Sequence, residues 1–170
     1  MSTQRPSGRP KSLAPAALSA LLSDERTVEE RLATTTDALE VPWLLLKGID
    51  ALGRGAVFRI TEEAFEGLAC TRALGDDILV QNTRILRKHL GVLTEAAQKG
   101  TFIGIIPDRE ADRDLLPLFD NSRRIAISAA YLEREPRFLL MCEVDHRKDA
   151  ILGDLIRLAR IGSEALSRLL

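Results

Sequence analysis

QNTRILRKHLGVL, residues 81–93, sets apolar residues at helical spacing beside a concentrated run of positive charge. Ile78, Ile85, Leu86, Leu90, Leu93, Ala96 and Ala97 recur at spacings of three, four and seven. That period belongs to one face of an α-helix, so a single helix is predicted over residues 78–99. Gly100 stands where helices commonly end on a left-handed residue. With the apolar face on 85, 86, 90, 93 and 97, the opposite face carries Arg84, Arg87 and Lys88, and Asn82 and Thr83 lie close to its start. His89 is expected on or beside the apolar face, partly buried. The polar set admits two readings: it meets phosphate and base edges, or it is the solvated side of a core helix.

Working outward, AVFRI (56–60) is short, β-branched and aromatic, which predicts a strand. Thr61 followed by Glu62 and Glu63 has the form of a hydroxyl cap with acids in the first turn, so residues 61–74 are predicted helical up to the break at Gly75. TFIGII (101–106) is a strand candidate. Pro107 and DREADRD then read as a loop or weak helix start, and Pro117 bars a regular helix through LLPLF. RRIAISAAYL (123–132) fits a strand at its start or a helix throughout, and RFLLMCEV (137–144) a buried strand, with a helix as the alternative.

At the N-terminal side, residues 1–12 are polar, basic and aperiodic and are expected to be disordered. Helices are predicted over 13–22 and 28–39, the second capped by Asp24. Pro42 opens a third, VPWLLLKGIDAL, with Trp43 as a packing anchor. A last helix is expected from Asp145 to Leu170. Its Leu152, Leu155, Ala159, Gly162, Leu166 and Leu169 form a narrow seam of the kind found between paired helices, so a homodimer through 145–170 is expected.

The 170 residues are 45% hydrophobic, 29% charged and only 4% aromatic, which suits one globular domain over 13–170 with an aliphatic core. Its divisions are a helical region at 13–55, a unit at 56–128, and a strand plus dimerisation helix at 129–170. The apolar runs are too short to cross a membrane, and a cytoplasmic location is the default expectation. Cys70 and Cys142 are far apart and set among apolar residues, which predicts buried reduced thiols. His89 and His146 have no companion at metal-ligand spacing, and neither GxxxxGK[ST] nor GxGxxG occurs. Tyr131 and the serines lack a nucleophile-elbow context. The expectation is a protein that is not an enzyme and carries no cofactor or metal.

The order strand, helix, helix, strand, charged loop, strand over about residues 56–128 resembles a winged helix-turn-helix unit, and RKHLGVLTEAAQKG is similar to the end of the recognition helix in ArsR and MarR repressors. This resemblance implies a mainly helical α+β fold with a winged-helix-like unit, and a dimeric regulator of double-stranded DNA. It would place Asn82, Thr83, Arg84, Arg87 and Lys88 in the groove, and Arg123 and Arg124 beyond the wing. The sequence departs from the pattern in its long acidic loop at 108–122, which phosphate would repel. The alternative is a non-catalytic interaction or assembly module with a small-ligand sensor pocket around RFLLMCEV.

Overall fold

Three runs of β-branched, aromatic and small residues lie side by side at the centre of the molecule. The computed structural model describes residues 26–120, 123–145 and 148–170. The expected tail at 1–12, the helix at 13–22, the Asp24 cap and His146 lie outside the described residues. Strands β1 (Gly55–Ile60), β2 (Ala64–Cys70), β3 (Arg84–Leu86), β4 (Thr101–Ile105), β5 (Arg124–Leu132) and β6 (Glu135–Val144) form a six-stranded sheet in the order β3-β2-β1-β6-β5-β4. Every neighbouring pair is antiparallel.

The helices are α1 (Val28–Thr34), α2 (Val41–Asp50), α3 (Asp77–Gln81), α4 (Val92–Lys99) and α5 (Lys148–Leu169), with 3-10 turns at Ala38–Glu40 and Glu110–Leu115. Thr27 and Glu30 close a reciprocal capping box at the start of α1, and Pro42 sits in the first turn of α2, where its missing N–H costs nothing. None of the described helices is long and apolar enough to cross a membrane.

Two cores share the sheet. On one face α1, α2 and α5 bury Leu32, Leu44, Leu45, Ile49, Leu155 and Ala159 against Val57, Ala126, Ala130 and Leu140. On the other, Phe58, Ile127, Leu139 and Met141 meet Phe65, Val80, Leu93, Ile106, Leu115 and Phe119 from shorter segments. The seam of α5 is used inside the chain: Leu155, Ala159 and Leu166 are buried against the sheet, and a Cβ at Gly162 would lie 2.8 Å from a methyl group of Leu45 on α2. The middle of the seam therefore faces its own sheet, with Leu152 and Leu169 half-buried. Arg168 near the end of α5 donates to the carbonyls of Leu32 and Thr35, tying down the C-terminal end of α1.

Two predicted helices are corrected. Residues 61–74 form the turn into β2, β2 itself and the turn after it. The Thr61 hydroxyl does accept the Ala64 N–H at 3.0 Å, but that bond closes a hairpin turn where a helix cap was read. Residues 78–99 break into α3, β3 and α4. Asp76 caps α3 through the Ile78 N–H, Asn82 ends it, and the chain then pairs Arg84 with Glu66 and Ile85 with Phe65 on β2. Thr83 buried, Arg84 exposed and Ile85 buried is a two-residue period. The six-stranded sheet clad on both faces replaces the mainly helical, winged-helix-like class. The supposed wing strands do pair, Thr101 with Ser128, but as part of that sheet.

Strands β5 and β6 are joined by Glu133 and Arg134, at φ 52° and 71°. Two positive φ values mark the tight hairpin turn that Asn-Gly fills best, and left-handed backbone costs an ordinary residue roughly 1–2 kcal/mol. Replacing the pair by Glu133→Asn with Arg134→Gly is expected to stabilise the protein by about 1 kcal/mol in urea denaturation. At Gly67 an added Cβ would run into the Val80 carbonyl oxygen. Gly67→Ala is expected to destabilise by about 1–3 kcal/mol in the same assay.

Candidate functional site

On the face covered by short segments one buried carboxylate links two of them. Asp112, 1% exposed, accepts the Val92 N–H at 2.8 Å through Oδ1 and pairs with Arg109 through Oδ2. The residue in the N-cap position of α4 is Gly91, which has no side chain to satisfy the free N–H groups of the first turn. Asp112 does so from a distance, and a Cβ at Gly91 would occupy the place of its oxygen. The 3-10 turn is thereby fastened to α4, while Leu115 and Phe119 plug it into the core.

Between this turn and the edge of the sheet lies a cleft of about 310 Å³, lined by Arg84, Ile85, Leu86, His89, Glu110, Ala111, Arg113 and Asp114. His89, Glu110, Arg113 and Asp114 are exposed. Among the described residues no hydrogen bond or ion pair engages their side chains, which leaves donors and acceptors of both charge signs available. The volume is at the small end of the range of ligand pockets.

The residues singled out from the sequence do not form one surface. Asn82 is an exposed helix end, and Thr83 is buried, donating its hydroxyl to the Leu79 carbonyl. Arg84 pairs with Glu63 and Glu66, with Arg59 as the second cation on Glu66. Arg87 donates to the Thr61 carbonyl at 2.8 Å and lies 5.8 Å over the Phe65 ring. Lys88 is exposed. Arg123 pairs with Glu143, and Arg124 begins β5. Four strand spacings separate β3 from β5, roughly 19 Å, so the two basic groups lie apart. Contrary to the helical reading, His89 is exposed and Leu90 is 72% exposed, because both fall in the turn between β3 and α4.

The residues of the cleft that sequence reasoning missed are Glu110, Arg113 and Asp114, together with Asp112 behind them. DREADRD reads as a self-neutralised surface loop, and linear order does not reveal that Asp112 turns inward. One signal was present: Gly91 costs about 1 kcal/mol inside a helix and suits a helix boundary better.

A second cleft of about 500 Å³ lies between α2 and the turn after β2, with Trp43, Leu46, Lys47, Asp50, Arg72 and Asp76 among its lining. Most of its polar groups are already engaged: Asp76 caps α3, Asp77 accepts the Cys70 N–H at 2.9 Å, and Thr71 accepts the Gly55 N–H at 3.0 Å. RFLLMCEV is packed on both faces of the sheet. Cys70 and Cys142 are free and buried, as the sequence suggested. Burial, reinforced by Asp77 and Asp76, pushes the Cys70 thiol up to about 11. No group of three or more metal-ligating side chains occurs among the described residues.

Asp112→Ala is expected to destabilise by about 2 kcal/mol, the scale of a lost charge-assisted cap, and to raise amide exchange selectively at Val92 and Leu93. Glu66 gives a pH signature. The hydrogen bond from Arg59 is the largest influence, and with the charges of Arg59 and Arg84 it outweighs desolvation and holds the carboxyl below its ordinary 4.5. A depressed carboxyl contributes stability above its unfolded pKa and loses it as pH falls through the folded value. Glu66→Gln should therefore flatten the loss of stability between about pH 5 and about pH 3.

No protein-family model matches the chain, and no curated protein matches it in sequence. Solved structures share its fold. A segment of a methyl-accepting chemotaxis protein superposes with a TM-score of 0.64 at 14% identity, covering 84% of this chain and 94% of that one. A GAF domain/HD domain protein from Geobacter sulfurreducens gives 0.56 at 14% identity, over 79% and 97%. A far-red absorbing protein in its dark state, with bound biliverdin, gives 0.54 at 12% identity, over 90% and 98%. The fold is of the GAF type. That likeness, with the sheet order, overturns the winged helix-turn-helix resemblance and the DNA-binding, transcription-regulating role it implied.

Proposed function

We propose that this domain is a non-catalytic sensor that holds a small polar molecule in the cleft between β3 and the 3-10 turn. The observation that carries the reading is the set of uncommitted side chains there, with Arg113 and His89 beside Glu110 and Asp114. Groups of both signs around a small volume suit a ligand carrying both an anionic and a cationic group. The wall they stand on is fastened to α4 by the buried Asp112 carboxylate and to the core by Leu115 and Phe119, so a ligand bridging Arg113 and His89 would add to that hold. Fold neighbours that include a chemotaxis protein and a biliverdin-bound protein support a receptive role.

Thermal unfolding in the presence of free amino acids and other small zwitterions tests this. A ligand at about a hundredfold its Kd adds about 2.7 kcal/mol to stability. Arg113→Ala and Glu110→Ala should each weaken binding by about tenfold or more, with the unliganded melting temperature near that of the wild type. A ligand shift of equal size in both variants would remove this cleft as the site.

A further inference from the structure

The two edges of the sheet are treated differently. At β3 the edge residues and the turn after them include Arg84, Arg87 and Lys88, charges of the kind that keep a strand edge from pairing with another chain. Edge strand β4, TFIGI, has no charged residue and no proline. Its pairing with β5 fixes what it offers. The Gly100 carbonyl accepts the Ala129 N–H at 2.9 Å, and Thr101 lies opposite Ser128. In an antiparallel ladder hydrogen-bonded pairs alternate with non-bonded ones, so Phe102 and Gly104 bond to β5, while Thr101, Ile103 and Ile105 turn their N–H and C=O groups outward. Those groups have no partner among the described residues. The side chains of Ile103 and Ile105 are 37% and 48% exposed, and they share one face.

We propose that β4 is a docking edge for β4 of a second copy, paired antiparallel about Ile103 so that the sheet continues across a twofold axis. In that register Ile103 faces its own equivalent and Thr101 faces Ile105. All three outward-turned residues then exchange hydrogen bonds. A one-residue slip would set the outward groups of one copy against groups of the other already bonded to β5. Each Ile103 covers the other, which removes part of the exposed apolar surface. The charges at the ends are complementary: Lys99 precedes the strand and Asp108 follows it, so antiparallel pairing brings Lys99 of one copy toward Asp108 of the other. A ladder of five residues falls short of the roughly 1,200 Å² typical of stable interfaces, so the association is weak and concentration-dependent.

Cysteine scanning on the full chain reads the register directly. Across a hydrogen-bonded pair the Cα atoms stand about 5.5 Å apart, within disulfide reach, whereas the two Ile105 positions would be roughly 14 Å apart along the ladder. Mild oxidation is expected to give a linked dimer with Ile103→Cys and none with Ile105→Cys, the native cysteines being buried. In sedimentation equilibrium the wild-type mass should rise toward twice the monomer with concentration, and Ile103→Lys, with an unchanged circular dichroism spectrum, should stay monomeric. Cross-linking at both positions or at neither would overturn the proposal. So would an Ile103→Lys variant that associates like the wild type, or a wild type that is monomeric throughout, which would leave the edge to a strand of another protein.

Discussion

Strands β1, β5 and β6 are buried on both faces, and that double burial organises the molecule. Val57, Ala126, Ala130 and Leu140 point to one core, and Phe58, Ile127, Leu139 and Met141 to the other. Small residues on β5 let α5 lie close, while the fully buried phenylalanine rings go to the opposite side. With few aromatics in the chain, three of the largest buried side chains, Phe58, Phe65 and Phe119, collect in one core. The helix-covered face is closed by aliphatic residues, with the half-buried Trp43 and Phe138 packed against them, and by glycine contacts between helices, Gly48 with Leu158 and Gly162 with Leu45.

The two coverings differ in kind. One is made of helices of up to 22 residues whose apolar stripes pack on the sheet. The other is made of short helices, a 3-10 turn and connecting segments, held through specific contacts such as Asp112 to Val92. Segments of the second sort carry exposed polar side chains at little cost to the core, and binding groups concentrate on such segments in general. The cleft between β3 and the turn is a consequence of that division. Edge strand β4 lies at the far side of the same sheet, so docking there leaves the cleft open.

Much of the strand content was legible. AVFRI, TFIGII and RFLLMCEV form β1, β4 and β6 because β-branched and aromatic residues bounded by Gly, Pro and charges fit a buried pleated surface. α2 and α5 were legible through their apolar stripes and Pro42. RRIAISAAYL fitted either state and became a strand because neighbours on both sides pair with it. Segments 61–74 and 78–99 misled for one reason. A seven-residue strand and a short helix–strand–helix run both place enough apolar residues at three and four to imitate a helix, and hydrogen bonding to distant strands outweighs a local preference.

Of the candidate site, Arg84 and His89 were visible as polar residues on a special stretch, but their setting was not. The sequence by itself determined the amount of apolar surface, the strand-forming centre, the closing helix and the buried state of both cysteines, because composition and short-range period govern these. Tertiary structure alone decided that QNTRILRKHLGVL would be an edge strand and a turn, that Asp112 would cap a helix beginning 20 residues earlier, and that the middle of the α5 seam would pack on its own sheet. Each depends on which distant backbone or side-chain group arrives opposite, and a linear pattern does not encode that arrival.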